Sequence, residues 1–192
     1  LGTLPLFHVG GLAMAFRWAA MGARLVLEKQ FDAARVAGLL RRGDLTHASF
    51  VPTALARVLD QPGAPFSPSL EALLIGGGPM GVELLRRARA LRLPVLQTYG
   101  LTEACSQVTV QKWLPKPVAR QGCGTPLAGL SLSIRSEQGV PLPPGEVGRI
   151  VVRGSSLLTG YVGQEPLRQR WFDTGDLGEL DEEGTLYVHA RR

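Results

Sequence analysis

Seven consecutive residues carry the densest chemistry in the chain: Gln97-Thr98-Tyr99-Gly100-Leu101-Thr102-Glu103. Tyr99 offers an aromatic face to a planar base. Gly100 lets a backbone pass close to a ligand. The Thr102 hydroxyl can donate to a phosphate. Glu103 brings a carboxylate to Mg2+, a cation that takes oxygen ligands and commonly shares them with phosphates. Upstream, Gly76-Gly77-Gly78-Pro79 lies between a predicted strand and a predicted helix. Such a loop is either a tight turn or a flat wall, bare of side chains, for a base or substrate. It also spells G-x-G-x-x-G through Gly76, Gly78 and Gly81, with Glu103 22 residues past Gly81. Three points oppose a dinucleotide fingerprint. Several strand–helix units precede the loop. Pro79 removes an N–H where a diphosphate wants donors. Glu103 falls beyond the end of the following strand. No G-K-[ST] follows either, so the loop is not a phosphate-binding P-loop.

The surrounding pattern says what must position these groups. Strands are expected at Gly2–Leu6, Arg24–Leu27, Thr46–Phe50, Ala72–Ile75 and Pro94–Thr98. Helices are expected at Gly11–Met21, Asp32–Arg41 with Asp32 as N-cap, Pro52–Asp60 and Gly81–Leu91. This alternation predicts an α/β fold, a mainly parallel sheet with flanking helices. Ligands bind such sheets at the C-terminal ends of strands, which is where Tyr99–Glu103 falls. From Gln121 onward, short β-type runs at Ser131–Ile134, Gly148–Arg153 and Thr185–His189 are separated by turn material. They predict an antiparallel β subdomain. The domains are therefore set at 1–111 and 112–192, with Lys112–Arg120 as the joint.

Composition narrows the function classes. The chain has 192 residues, 45% hydrophobic and 19% charged, enough for a real core. The net charge is +5, nearly all from Arg, because Lys occurs only at 29, 112 and 116. Arg86, Arg87, Arg89 and Arg92 form the densest basic cluster and read as a solvated helix face. Aromatic platforms of a nucleic-acid module are missing, so no nucleic-acid partner is expected. Cys105 and Cys123 match no zinc or redox spacing, and His8, His47 and His189 are scattered. Neither structural metal nor disulfide is expected, which fits a reducing, cytoplasmic compartment. No apolar run approaches the ~20 residues of a membrane span. The segment Val9–Ala23 reads as a buried helix and not a signal peptide.

Tyr99-Gly100-Leu101-Thr102-Glu103 resembles the signature of the adenylate-forming superfamily, which includes acyl-CoA synthetases, aryl-CoA ligases, luciferases and peptide adenylation domains. Three more blocks follow the family's order. Leu4-Pro5-Leu6-Phe7-His8-Val9-Gly10-Gly11 resembles the block that places an aromatic or His residue near the reacting carboxylate. Gly145–Gly154, continuing to Gly160-Tyr161, resembles the later glycine-rich strand block. Trp171–Gly178, around Thr174-Gly175-Asp176, resembles the T-G-D block. The resemblance implies formation of acyl-AMP from a small-molecule carboxylate and ATP, then displacement of AMP by a thiol, usually that of CoA. It implies Thr102 on the α-phosphate, Glu103 on Mg2+, Asp176 and Arg191 on the ribose, and Val188 padding the adenine. Gly76–Gly78 and Tyr99 would sandwich the base, with Pro79, Gln97, Thr98 and Gly100 beside the nucleotide. His8 would sit by the acyl carboxylate. Gly77, Gly100, Leu101, Ser106 and Thr109 would line the acyl site.

Simpler readings stand beside these. Asp176 could cap a turn, His8 could be a core histidine, and Val188 would be core in any case. Within the superfamily, the blocks around His8 and Ser106-Gln107 look most like the branch that joins CoA to 2-succinylbenzoate in menaquinone biosynthesis. A fatty-acyl or other aryl-CoA ligase, or a truncated binding module, is the alternative. A homodimer is compatible with the sequence. The chain starts at Leu1, and the family's phosphate loop and C-terminal domain, each with a Lys, are not found in it. Isolated, it is expected not to turn over.

Overall fold

Residues 1–112, 122–167 and 171–191 are described by the structure, a computed structural model. The chain divides into two compact units, Leu1–Gln97 and Thr98–Arg192. The division falls within a strand, upstream of the change in character expected after residue 111. The Lys112–Arg120 joint lies outside the described residues from 113 onward.

In the first unit the helices are α1 (Val9–Ala20), α2 (Ala33–Arg41), α3 (Pro52–Leu59) and α4 (Val82–Ala90). The strands are β1 (His47–Phe50), β2 (Ala72–Ile75) and the start of β3 (Val95–Leu101). β1 pairs parallel with β2 (His47↔Ala72), and β2 pairs parallel with β3 (Leu73↔Val95). Local chemistry starts the helices where the sequence says. The Asp32 carboxylate accepts the Arg35 N–H at 2.7 Å, filling one of the orphan donors at the head of α2. Pro52 takes the first turn of α3, where no N–H is missed. Val36 and Leu40 of α2 and Leu55 and Val58 of α3 close over Phe50 and Leu73, all essentially inaccessible. Each such side chain contributes roughly 1.5–3 kcal/mol of burial. On α4, Arg86 pairs with Glu83 (2.7 Å) and Arg87 with Asp60 (2.6 Å). The basic cluster is thus a solvated face, partly neutralised.

Three expectations fail in this unit. Gly2–Leu6 and Arg24–Leu27 are not strands; only isolated parallel bridges form, Gly2 to Leu27 and to Ser49. Pro5 has no N–H to offer a ladder, and its carbonyl instead accepts the His8 N–H (3.1 Å) at the head of α1. Nor is α1 a buried helix. Only Gly11 and Met14 are buried, while Phe16 is 69% and Met21 71% exposed. Among the described residues no helix is long and apolar enough to cross a membrane.

The second unit is almost wholly antiparallel. The end of β3 pairs with β4 (Ser106–Val110), and β4 with β5 (Thr125–Pro126). A four-stranded sheet follows in the order β6 (Leu130–Arg135), β7 (Gly148–Gly154), β8 (Phe172–Leu180) and β9 (Leu186–Arg191). Val108, Ile134, Ile150, Val152 and Leu186 form its core. The antiparallel strands expected from the sequence appear as β6, β7 and β9. β4, β5 and β8 are additional, and β8 carries the whole of Thr174-Gly175-Asp176.

Candidate nucleotide site

β3 ends in the Tyr99–Glu103 run, and the backbone there is unusual. The β3–β4 register shifts between Tyr99 and Gly100. A 3₁₀ turn, Thr102–Ala104, then leads into Cys105 (φ 54°) and Ser106 (φ 99°). Two successive non-glycine residues in left-handed backbone are costly, and such strain gathers at functional turns. The turn leaves Thr102 exposed and Glu103 half-buried. Glu103 is tethered twice: its carbonyl accepts the Leu158 N–H (2.8 Å) and its Oε1 accepts the Tyr161 hydroxyl (3.2 Å).

Tyr99 and Asp176, 77 positions apart, meet directly: the phenol donates to Asp176 Oδ2 at 2.6 Å. Burial, then the neighbouring Asp176 carboxylate, pushes the phenol far above the usual tyrosine range, so it stays a donor. Asp176 is not the residue that caps its own turn. Asp173 Oδ1 accepts the Gly175 N–H (3.1 Å), and Thr174 Oγ1 accepts the Asp176 N–H (3.2 Å). Thr174 in turn donates to the Ile150 carbonyl at 3.0 Å, and Asp173 pairs with Arg149 at 2.7 Å. The backbone around Asp176 is therefore held by other side chains, and its carboxylate is bonded to Tyr99. Across the β8–β9 ladder, Asp176 faces Arg191 in register. The residues assigned to the ribose thus share one place in the second unit.

Tyr99 itself is only 8% exposed and belongs to the core cluster, so its ring offers less open face than the sequence suggests. Gly100 is required by the chain itself, since a Cβ there would meet the Ser106 carbonyl oxygen at 1.9 Å. Ser106 is 8% exposed and Thr109 fully buried, its hydroxyl donating to the Cys123 carbonyl at 2.7 Å. Thr109 is therefore placed as a core residue and not as an accessible pocket lining. Leu101, Gln97 and Thr98 are half-buried. Val188 is not core: it is 39% exposed on β9, although Leu186 nearby is fully buried.

In the first unit, Gly77 and Gly78 are exposed with Pro79, beyond β2. Gly76 N–H donates to the Phe50 carbonyl at 3.1 Å. Gly77 needs its left-handed φ of 76°, whereas a Cβ at Gly78 would meet nothing within 4 Å. His8 is exposed, its ring 4.7 Å from that of Phe7, so it is not a core histidine.

Among the described residues no three His, Cys, Asp or Glu side chains converge on a metal position. A protein-only cage is therefore excluded there. One carboxylate beside an exposed hydroxyl does fit Mg2+, which typically takes one or two carboxylates and completes its shell with phosphate and water. Tyr161 is the residue that sequence reading missed. It stood inside a quoted block, but only the fold brings its hydroxyl to Glu103.

A family model described as AMP-binding enzyme matches residues 1–162. The 2-succinylbenzoate–CoA ligase of Bacillus licheniformis is 38% identical over 199 residues, covering 99% of this chain and 40% of that protein. The structure of O-succinylbenzoate coenzyme A synthetase (MenE) from Bacillus subtilis, in complex with ATP and magnesium ion, has a TM-score of 0.88 at 35% identity, covering 99% of this chain and 41% of that one. The inhibitor-bound N-terminal domain of FACL13 from Mycobacterium tuberculosis has a TM-score of 0.88 at 29% identity, covering 100% of this chain and 50% of that one. The chain thus spans about 40% of the length of the curated relatives it matches.

Proposed function

Because the chain belongs to the AMP-binding enzyme family, we propose that this protein is an AMP-forming acid–CoA ligase whose carboxylate is 2-succinylbenzoate, of menaquinone biosynthesis. The observation that carries the reading is the Tyr99–Asp176 hydrogen bond with Arg191 in register beside it. A carboxylate and a guanidinium set at one point suit the hydroxyls of a ribose. The substrate assignment draws on the likeness to the Bacillus ligases.

In the first step a substrate carboxylate oxygen bonds to the α-phosphorus of ATP as the bond to pyrophosphate breaks. In the second, the thiol of CoA bonds to the acyl carbon, AMP leaves with its electron pair, and the thiol proton is released. Thr102, exposed at the turn, donates to an α-phosphate oxygen on which charge gathers. Asp176 and Arg191 hold the ribose, and Val188 pads the base. The exposed Gly77 and Gly78, with Pro79, offer the nucleotide a surface bare of bulky side chains. His8 accompanies the acyl carboxylate, with Leu101 and Ser106 contributing to acyl selection. Glu103 would hold Mg2+, which supplies charge compensation to the phosphates when bound. ATP and CoA are the soluble partners, in a cytoplasmic setting.

The test is AMP release by the full-length protein with ATP, Mg2+, CoA and a carboxylate panel. 2-Succinylbenzoate is expected to be preferred. Preference for long-chain fatty acids would defeat the substrate assignment, and no AMP with any carboxylate would defeat the reaction class. Glu103→Ala is expected to abolish most turnover; undiminished turnover would remove Glu103 from the metal role.

A further inference from the structure

We propose that Tyr99 is a positioning residue that acts through its hydroxyl, which fixes the Asp176 carboxylate for the ribose diol. The inference rests on the nucleotide-binding reading above and deepens it. Its basis is geometric. Tyr99 is 8% exposed and is packed in the core cluster of the second unit, so its hydroxyl is held at a fixed point. Its hydroxyl is 2.6 Å from Asp176 Oδ2, a length typical of a strong O–H···O⁻ bond.

Among the described residues, the other hydrogen bonds around Asp176 act on the backbone. Thr174 Oγ1 holds the Asp176 N–H, and the β8–β9 ladder holds the main chain opposite Arg191. Neither sets the side-chain torsions of Asp176. The hydrogen bond from Tyr99 does, and it occupies one carboxylate oxygen from the core side. Oδ1 and the remaining lone pair of Oδ2 are then presented to a ligand. Burial keeps the phenol protonated, so the donor persists wherever the protein works. A free Asp side chain would have to be ordered at the moment of binding, and Tyr99 does that ordering in advance.

The experiment is a calorimetric cycle on the full-length protein, wild type and Tyr99→Phe, with AMP and with 2′,3′-dideoxy-AMP. Phenylalanine keeps the ring and removes only the hydroxyl. AMP is expected to bind Tyr99→Phe about tenfold more weakly, the scale of one charge-assisted hydrogen bond lost. The dideoxy analogue, which lacks the diol, is expected to bind both proteins within about twofold. Unchanged AMP affinity, or an equal loss with both ligands, overturns the inference but leaves the nucleotide reading standing. No saturable AMP binding by wild type overturns the nucleotide reading, and the inference with it. If Tyr99→Phe does not fold, ring-labelled tyrosine NMR of the unmodified protein decides. AMP should shift the Tyr99 ring signal and the dideoxy analogue should not; equal shifts overturn the inference.

Discussion

Gly100→Ala separates what the chain needs from what a ligand needs. The added Cβ would lie 1.9 Å from the Ser106 carbonyl oxygen, 2.7 Å from its carbonyl carbon and 2.9 Å from Gln107 Cα. All three are backbone atoms, so no side chain can turn away. Relief requires opening the β3–β4 pairing at its register shift, where Gly100 stands opposite Gln107. Overpacking a well-packed site typically costs about 1–3 kcal/mol, and a backbone obstacle places this case near the top, at about 3 kcal/mol. For a protein of this size 1 kcal/mol corresponds to roughly 2–4 °C, so the melting temperature should fall by about 6–12 °C. Urea denaturation followed by tryptophan fluorescence should show a lower midpoint at unchanged slope. A melting temperature within about 1 °C of wild type would refute the reasoning. So would unchanged stability with lost AMP affinity, which would assign the glycine to the ligand.

Gly78→Ala is the counterpart. Its Cβ would meet nothing within 4 Å, so stability should hold within about 0.5 kcal/mol. AMP affinity should fall about tenfold if the glycines form a wall for the base; full affinity would make the loop a turn only. The two cysteines should label unequally. Cys105 is exposed, whereas burial pushes the Cys123 thiol up to about 11. At pH 8 that leaves about 0.1% thiolate at Cys123, so a disulfide reagent should modify Cys105 first and Cys123 at least ~10-fold more slowly. Equal rates would contradict the packing around Cys123. Alkali tests the buried phenol of Tyr99, whose ionisation is raised in the folded state. Its contribution to stability is complete below the ordinary tyrosine value of ~10 and is lost as pH rises beyond it, by up to ~1.4 kcal/mol per pH unit. The stability gap between wild type and Tyr99→Phe should therefore narrow from pH 8 to pH 11. An unchanged gap would mean the phenol is not held protonated.

Local signals were legible wherever local chemistry decides. Asp32 caps α2, Pro52 opens α3, and β2 begins and ends at Ala72 and Ile75 as read. β8 escaped because Asp173, Thr174 and Gly175 look like turn residues, and in fact they make one inside a strand: Gly175 has φ 76° and bonds to Asp173. β4 escaped because Ser106–Val110 buries Val108 and Thr109 side by side, breaking the two-residue alternation. Tyr99 and Asp176 each stood inside a recognisable motif. Their joining was not legible, because a hydrogen bond between Tyr99 and Asp176 spans 77 positions and leaves no periodic trace. Val188 and His8 illustrate the converse. Apolar or aromatic type argues for burial, yet both are exposed.

The left-handed pair Cys105–Ser106 has a practical consequence for anyone seeking a hardier version of this protein. Each residue sits where L side chains are disfavoured by roughly 1–2 kcal/mol. Glycine or asparagine there is the obvious route to a higher melting point. That route runs through the end of the turn that holds Thr102 and Glu103, so heat resistance gained at 105 or 106 would loosen the placement of both side chains. Laboratory evolution for thermotolerance alone should find these two positions early, and selection that also demands turnover should refuse them.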